Sequence, residues 1–251
     1  MFRRGRDKSS EIDEAEKPFW ISYADLMTAA MTLFLIIMAV TIVNVGQDDI
    51  AEIKRVDVIQ DCWHELKENS NQIDEQVDVS LVGKDVIVVS FGDLVRFDNA
   101  SWYINEDTQN FLRKFIPLVV GNMETESCQK HFKRVMIEGY TSSSGTYMSN
   151  LLLSNLRSQA VMCSLADSNA RNRTLVEIDD DTQNKIKQMF FTGGFSYSSQ
   201  KATDAQSRRA ELKIEFWKNK EKRAEINANF YNSKTLGSCN PDFFDKKKAR
   251  S

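Results

Sequence analysis

The chain has 251 residues, 41% of them hydrophobic and 27% charged, with a formal net charge of −3. That length holds one membrane anchor and one domain of ordinary size, and the slightly acidic balance argues against direct binding of nucleic acid. Four cysteines with no CxxC spacing and only two histidines, His64 and His131, argue against a metal site, and no phosphate-binding loop or other cofactor motif is present.

Residues 1–18 are polar, carry both signs of charge and show no apolar periodicity, which is the pattern of a solvated tail. Phe19–Val45 follows, 27 residues with one formal charge, Asp25, and the 20 residues from Leu26 to Val45 carry none. An α-helix needs about 20 apolar residues to cross the hydrocarbon core, so residues 19–45 are predicted to be a transmembrane helix. Arg3, Arg4, Arg6, Lys8 and Lys17 precede it, against Lys54 and Arg55 in the stretch just after it. That asymmetry predicts a cytoplasmic N-terminus and a domain on the far side, the periplasm of a bacterium. The apolar run exceeds the roughly 7–15 residues of a signal-peptide core and no small-x-small cleavage site follows it, so it reads as an anchor.

Asp25 is the residue in this segment that needs explaining. Were the bilayer to begin at Leu26, the carboxylate would lie in water among headgroups. Trp20 and Tyr23 are residues of an aromatic belt and Lys17 can snorkel from just outside, which sets the interface near 17–20. Asp25 then lies about 7–8 Å inside, counting ~1.5 Å per residue from Trp20. An ionisable group in a span is expensive and points to function. Ser22, Asp25, Ala29, Thr32, Ile36, Ala39 and Val43 follow 3–4 spacing, and small or polar residues along one seam let membrane helices pack closely. From the residues alone, a dimer seam with one acid at its wet end and an ion path stand level.

Residues 46–76 are acidic and polar, with Ile50, Ile53, Val56 and Ile59 as a narrow apolar stripe; they read as a connector, with a short amphipathic helix as the alternative. From Val77 the pattern changes. Val77, Val79 and Leu81 alternate with polar residues, a turn follows at 82–85, and Val86–Phe91 reads as a buried strand. Asn105 is placed to cap a helix running to about Val120, with Phe111, Leu112, Phe115, Leu118 and Val119 on one face and Pro117 as a bend or early end. A strand over 134–140 precedes a helix from about Tyr147 to Ala166, whose apolar side is expected to hold Leu152, Leu153, Leu156, Ala160, Val161 and Leu165. Phe190–Ser198 and Glu211–Trp217 supply two more strands. Interleaved strands and helices predict an α/β sandwich, helices over one sheet, in the order β-α-β-α-β-β. Residues 218–251 form a charged extension ending in the basic run Lys246–Lys248, with Cys239 as a candidate tie. Cys62, Cys128, Cys163 and Cys239 all follow the span, which fits one or two disulfides on an oxidising side, or four buried thiols. An enzyme finds no support: Ser142–Ser144 lack a G-x-S-x-G setting and neither histidine has a recognisable partner.

Two stretches carry a resemblance. Trp20-Ile21-Ser22-Tyr23-Ala24-Asp25-Leu26-Met27-Thr28-Ala29 resembles the signature of MotB-type stator subunits, in which a tryptophan precedes Tyr-Ala-Asp and Met-Thr-Ala follows. Ile137-Glu138-Gly139-Tyr140-Thr141, then Gly145, then Asn150-x-x-Leu153-Ser154-x-x-Arg157, is similar to the OmpA-like peptidoglycan-binding domain, and Ser207-Arg208-Arg209-Ala210-Glu211-Leu212 is similar to its closing motif. The resemblance covers about 19–45 and 77–217, leaving 46–76 as a linker. Within that family, the short linker and altered wall motif resemble the stator-like membrane component of Zorya anti-phage defence systems.

The resemblance implies an inner-membrane stator subunit that conducts an ion through Asp25, with Ser22, Ala29 and Thr32 on the packing seam. The ion is expected to be H⁺, with Na⁺ as the alternative, and no cofactor is needed. It further implies a MotA-like multi-span partner forming a ring around a homodimer of this chain, with soluble defence effectors acting through that ring. Tyr140, Thr141, Ser142, Asn150, Leu153, Ser154 and Arg157 would bind peptidoglycan, Arg157 offering its planar fork to a wall-peptide carboxylate. Ser142 stands where the family has an acid, so the grip on an ammonium group is weakened. The other readings are a flagellar-type stator B subunit and a passive single-span peptidoglycan anchor.

Overall fold

A computed structural model describes residues 9–165, 175–219, 221, 239 and 245–248, with side chains from 23 onward. Residues 1–8 of the expected tail and most of the extension (218–251) therefore lie outside the described residues, as does the side chain of Ser22, while residues 9–18, expected as a solvated tail, are helical. The chain divides into two compact units, Met1–Ile53 and Lys54–Ser251.

Helix α1 (Ser9–Ile73) supplies the first unit and the start of the second. In the first unit, the described apolar side chains from Tyr23 to Val45 have no protein core to enter and are exposed. The helix is long and apolar enough to cross a membrane. In the second unit, residues expected to form a loose connector are helical and built into the domain. Ile59, Cys62 and Leu66 are buried, while Ile50 and Ile53 are exposed. The buried stripe is Arg55, Ile59, Cys62, Leu66 and Ser70, at 3–4 spacing, so it begins later than the Ile50–Ile59 stripe of the sequence and includes an arginine at its head. That arginine is satisfied: Arg55 Nη2 donates to Asp85 Oδ1 at 2.5 Å and Nη1 to the Trp217 carbonyl at 3.2 Å.

Strands β1 (Asp78–Val82) and β2 (Val86–Ser90) form a hairpin. Gly83, at φ +66°, is the turn residue that needs the left-handed region. Helix α2 (Glu106–Met123) starts where expected, with Asn105 accepting from the Thr108 amide at 2.8 Å, and runs through Pro117 rather than ending there. The short α3 (Glu126–Gln129) leads to β3 (Phe132–Gly139), then α4 (Tyr147–Leu165). Helix α5 (Asp180–Met189) has no counterpart in the sequence reading, because Ile186 is its one buried residue and no apolar stripe announces it. Its cap is plain in hindsight: Asp179 accepts from the Thr182 amide at 2.9 Å, and hydrogen bonds from Thr182 hold its carboxyl below the usual range. Strand β4 (Phe190–Gly194), α6 (Asp204–Ser207) and β5 (Ala210–Phe216) complete the domain.

The strands form one sheet in the order β1-β2-β5-β3-β4, with β3 and β4 parallel and the other neighbours antiparallel. The early alternation at 77–81 is thus a strand in its own right, adding one to the expected series. Alternation sends one side chain in two toward the helices, and register aligns them in rows. Ile87, Ile214 and Val135 make one row; Val89, Leu212 and Ile137 make the next. α2 covers them with Leu112, Phe115, Ile116 and Val119. α4 departs from its expected packing: Leu152 is 63% exposed, and the face turned inward holds Asn150, Ser154, Arg157 and Ser158 among its buried residues. The reason lies in the strands beneath. Gly139 and Gly194 pair in register, and a Cβ on Gly139 would run into the Ser154 carbonyl oxygen, while one on Gly194 would meet Ser154 Oγ at 2.6 Å. Small residues on both sides let helix and sheet approach more closely than leucines would.

Two disulfides brace the domain, Cys62–Cys128 and Cys163–Cys239. The first ties α1 to α3; the second ties α4 to the extension. Replacing both Cys62 and Cys128 with serine should destabilise the domain by roughly 2–5 kcal/mol, read as a lower Tm in circular dichroism of the detergent-solubilised chain. An unchanged Tm would show that helix 54–73 is held without the bridge.

Candidate functional site

In the first unit, polar side chains of the span mostly satisfy themselves. Thr28 Oγ1 donates to the Ala24 carbonyl at 2.7 Å, Thr32 Oγ1 to Ala29 at 2.9 Å, and Thr41 Oγ1 to Ile37. Such back-bonding lets a hydroxyl sit in lipid without an orphaned group. Asp25 is different: among the described residues no hydrogen bond or ion pair to its carboxylate is found, and it is exposed. With Ala29 and Thr32 at its 4- and 7-residue offsets it lies on one seam of the helix.

In the second unit, the expected wall-binding residues gather around Arg157, but differently from their expected roles. Arg157 is fully buried. Its Nε donates to the Ser101 carbonyl at 2.9 Å, Nη1 to Tyr140 at 2.7 Å and Nη2 to Asp98 at 3.0 Å, with the guanidinium carbon 5.1 Å from the centre of the Phe97 ring. Burial, and secondarily Arg208, pull its pKa down to about 9, which leaves it charged at neutral pH. The fork expected to meet a wall-peptide carboxylate is thus engaged by three backbone carbonyls of the domain itself.

Tyr140 sends its carbonyl to Arg157 but its ring to the opposite side of the sheet. Its hydroxyl donates to Glu138 Oε2 at 2.6 Å, and Arg209 lies 4.2 Å from the ring centre. Burial, then the neighbouring Glu138 carboxylate, raise the phenol above its usual range. Arg209 in turn donates to Glu211 Oε1 at 2.8 Å, and Lys213 is 3.5 Å from Glu138. Strand alternation puts this charged set on the face away from the helices. Arg208 and Arg209, read as one closing motif, therefore divide: Arg208 donates to the Phe97 carbonyl at 3.1 Å, on the Arg157 side.

The remaining expected residues fix loops. Asn150 Nδ2 donates to the Ser144 carbonyl at 2.8 Å, shaping a turn in which Gly145 takes φ +92°. Ser154 Oγ accepts from the Ser196 amide at 3.0 Å and donates to the Leu151 carbonyl at 2.8 Å. Thr141 donates its amide to Ser196 at 2.9 Å and accepts from Gln200 Nε2 at 3.0 Å, while its buried hydroxyl has no hydrogen-bond partner. Thr141, Ser142, Asn150, Leu153 and Ser154 are all buried. Two segments not expected at the site prove integral: 97–101, which supplies carbonyls to Arg157, and 195–200, where the strand expected over Phe190–Ser198 has ended at Gly194 and the chain hydrogen-bonds to the Thr141 loop. Backbone acceptors leave no mark in a sequence; the Phe195-Ser196-Tyr197-Ser198 run after a double glycine was the visible clue to the second.

An acid-bearing apolar helix followed by an α/β domain is the arrangement of a membrane-anchored subunit. Residues 3–50 match the family described as membrane MotB of the proton-channel complex MotA/MotB. The chain is 37% identical over 224 residues to the Zorya protein ZorB of Escherichia coli O139:H28 (strain E24377A / ETEC), spanning 86% of this chain and 87% of that one. The chain belongs to the ZorB family, and as such is a stator-type B subunit, not an enzyme. Among solved structures it is similar to the cell wall anchor of the T6SS from Pseudomonas aeruginosa (18% identity, 62% of this chain and 97% of that one, TM-score 0.38). It is also similar to the periplasmic domain of Helicobacter pylori MotB (13% identity, 58% and 83%, TM-score 0.39).

Because Arg157 serves three internal carbonyls, Arg157→Ala should unfold part of the domain rather than only weaken a surface contact. Each buried acceptor left unpaired by the truncation costs roughly 1–3 kcal/mol. Thermal unfolding of Arg157→Ala and Arg157→Lys checks this; a wild-type Tm in both would return Arg157 to the role of ligand contact.

Proposed function

We propose that this chain is the ion-conducting, wall-anchored B subunit of a proton-driven two-component motor working in anti-phage defence. The observation that carries the reading is Asp25, the one formal charge in Phe19–Val45, inside the segment that matches the MotB family. A carboxyl group in dry surroundings favours its neutral form and releases its proton on meeting water. Alternating exposure of Asp25 to the two sides would carry protons down a gradient worth ~2.3 kcal/mol per charge per 100 mV. Each loading changes whether the side chain tolerates an apolar neighbour, which pushes surrounding helices to move. Na⁺ is the alternative ion, since the same acid serves either.

One helix cannot enclose a path. The seam through Asp25, Ala29 and Thr32 supports close packing with a second copy of this chain inside a ring of MotA-like multi-span subunits. The excess of Lys and Arg before the span supports a cytoplasmic N-terminus in the inner membrane, with the α/β domain in the periplasm. The disulfides fit that side. There the domain would hold the dimer against peptidoglycan while the ring turns and signals to soluble effectors.

Asp25→Asn keeps size and removes the charge. In cells carrying the complete defence locus, this variant should lose protection, so that phage plate as efficiently as on cells without the locus. Full protection by a normally expressed Asp25→Asn chain would leave the passive peptidoglycan anchor as the better reading.

A further inference from the structure

We infer that the domain grips the glycan strand of the wall, its N-acetylated amino-sugar rings, through Tyr147, Tyr197 and the hydroxyls around them, and not through the stem peptide; this rests on the wall-binding reading above. The argument begins with charge. From Thr141 to Leu156 and from Phe190 to Gln200 the chain carries no charged residue. Arg157, the cation this region does contain, is buried and committed to backbone carbonyls. A stem peptide presents carboxylates and an ammonium group, and binding them demands partners of opposite charge. These two segments have none to offer, the cations beside them, Lys201 and Arg209, pair with Glu211, and Ser142 stands where the acid would be.

What the surface does offer is hydroxyls and aromatic rings. Ser143, Ser144, Thr146, Tyr147 and Ser149 are exposed in one loop, and Ser198 and Ser199 in the other. The two loops are fastened side by side: the Thr141 amide donates to Ser196, Ser196 Oγ donates to the Tyr147 carbonyl at 3.3 Å, and Gln200 Nε2 reaches both the Thr141 and Tyr197 carbonyls, at 3.0 and 3.1 Å. At their junction Tyr147 and Tyr197 meet edge-on, ring centres 5.8 Å apart at 90°. Tyr147 remains 53% exposed. A pyranose has an apolar face of C–H groups and a rim of hydroxyls. Its complement is a rigid aromatic ring flanked by neutral donors and acceptors, and tyrosine supplies ring and hydroxyl together at small conformational cost.

The test uses the full chain in detergent micelles and three probes: intact sacculi, sacculi stripped of stem peptides by an amidase, and free tetrapeptide stem as competitor. The chain should sediment with both kinds of sacculi, and excess stem peptide should not release it. Replacing both Tyr147 and Tyr197 with alanine should weaken binding to stripped sacculi roughly tenfold, the scale of an aromatic anchor truncated. Tyr147→Phe with Tyr197→Phe, which keeps the rings, should retain most of it, and Tm values confirm that each variant is folded. Binding to intact but not stripped sacculi, release by the stem peptide, or undiminished binding by the folded double-alanine variant would overturn the glycan assignment alone. Sedimentation with neither kind of sacculus would overturn it together with the wall-binding reading.

Discussion

A guanidinium taken out of water has to replace its hydration with oxygen atoms of the protein, and the α/β domain is assembled around the place where Arg157 does so. Its acceptors come from Asp98 and Ser101, between β2 and α2, and from Tyr140, just past β3. One helical side chain thus draws in two loops far from it in sequence. Carbonyl dipoles can satisfy the donors without neutralising the charge, so the group stays cationic inside the fold at the expense of desolvation. Arg208, at the end of α6, reinforces the arrangement by holding the Phe97 carbonyl.

The same residues explain why the surface above is neutral. Asn150 and Ser154 are turned to loop carbonyls and amides, and the glycine pair Gly139–Gly194 seats α4 so closely that its polar face is buried. A motif that reads as a ligand-binding signature here works as internal scaffolding, and the surface it builds is made by the side chains it displaces outward. The membrane segment shows the opposite economy. Its threonines fold their hydroxyls back onto the helix, whereas the Asp25 carboxylate makes no such bond among the described residues.

How far the sequence could be read follows from the kind of signal each feature leaves. The span, the Asn105 cap, the strand over 134–140 and the helix from Tyr147 were legible because each rests on local composition or periodicity. The helix at 54–73 was missed as part of the domain because its buried stripe opens with Arg55, a residue no apolar count would include. Leu152 was misplaced for a related reason: among leucines at 151, 152, 153 and 156, periodicity alone does not say that serines and an arginine take the inner face. At the wall motif the residue positions were legible and their orientation was not. Adjacent residues point to opposite faces of a strand, so Tyr140 and the Arg157 set divide across the sheet. Disulfide pairing depends on contacts between α1 and α3 and between α4 and the extension, which no spacing encodes.

The two bridges have a consequence for how the chain is sorted. Each typically contributes ~2–5 kcal/mol to a domain whose net stability is of order 5–15 kcal/mol. They form where thiols are oxidised and fail where glutathione keeps them reduced. A copy inserted the wrong way round would leave Cys62, Cys128, Cys163 and Cys239 as thiols and its domain closer to unfolding, within reach of cytoplasmic proteases. In the orientation proposed above, topology would be selected twice: at insertion, by the basic residues ahead of the span, and afterwards, by survival.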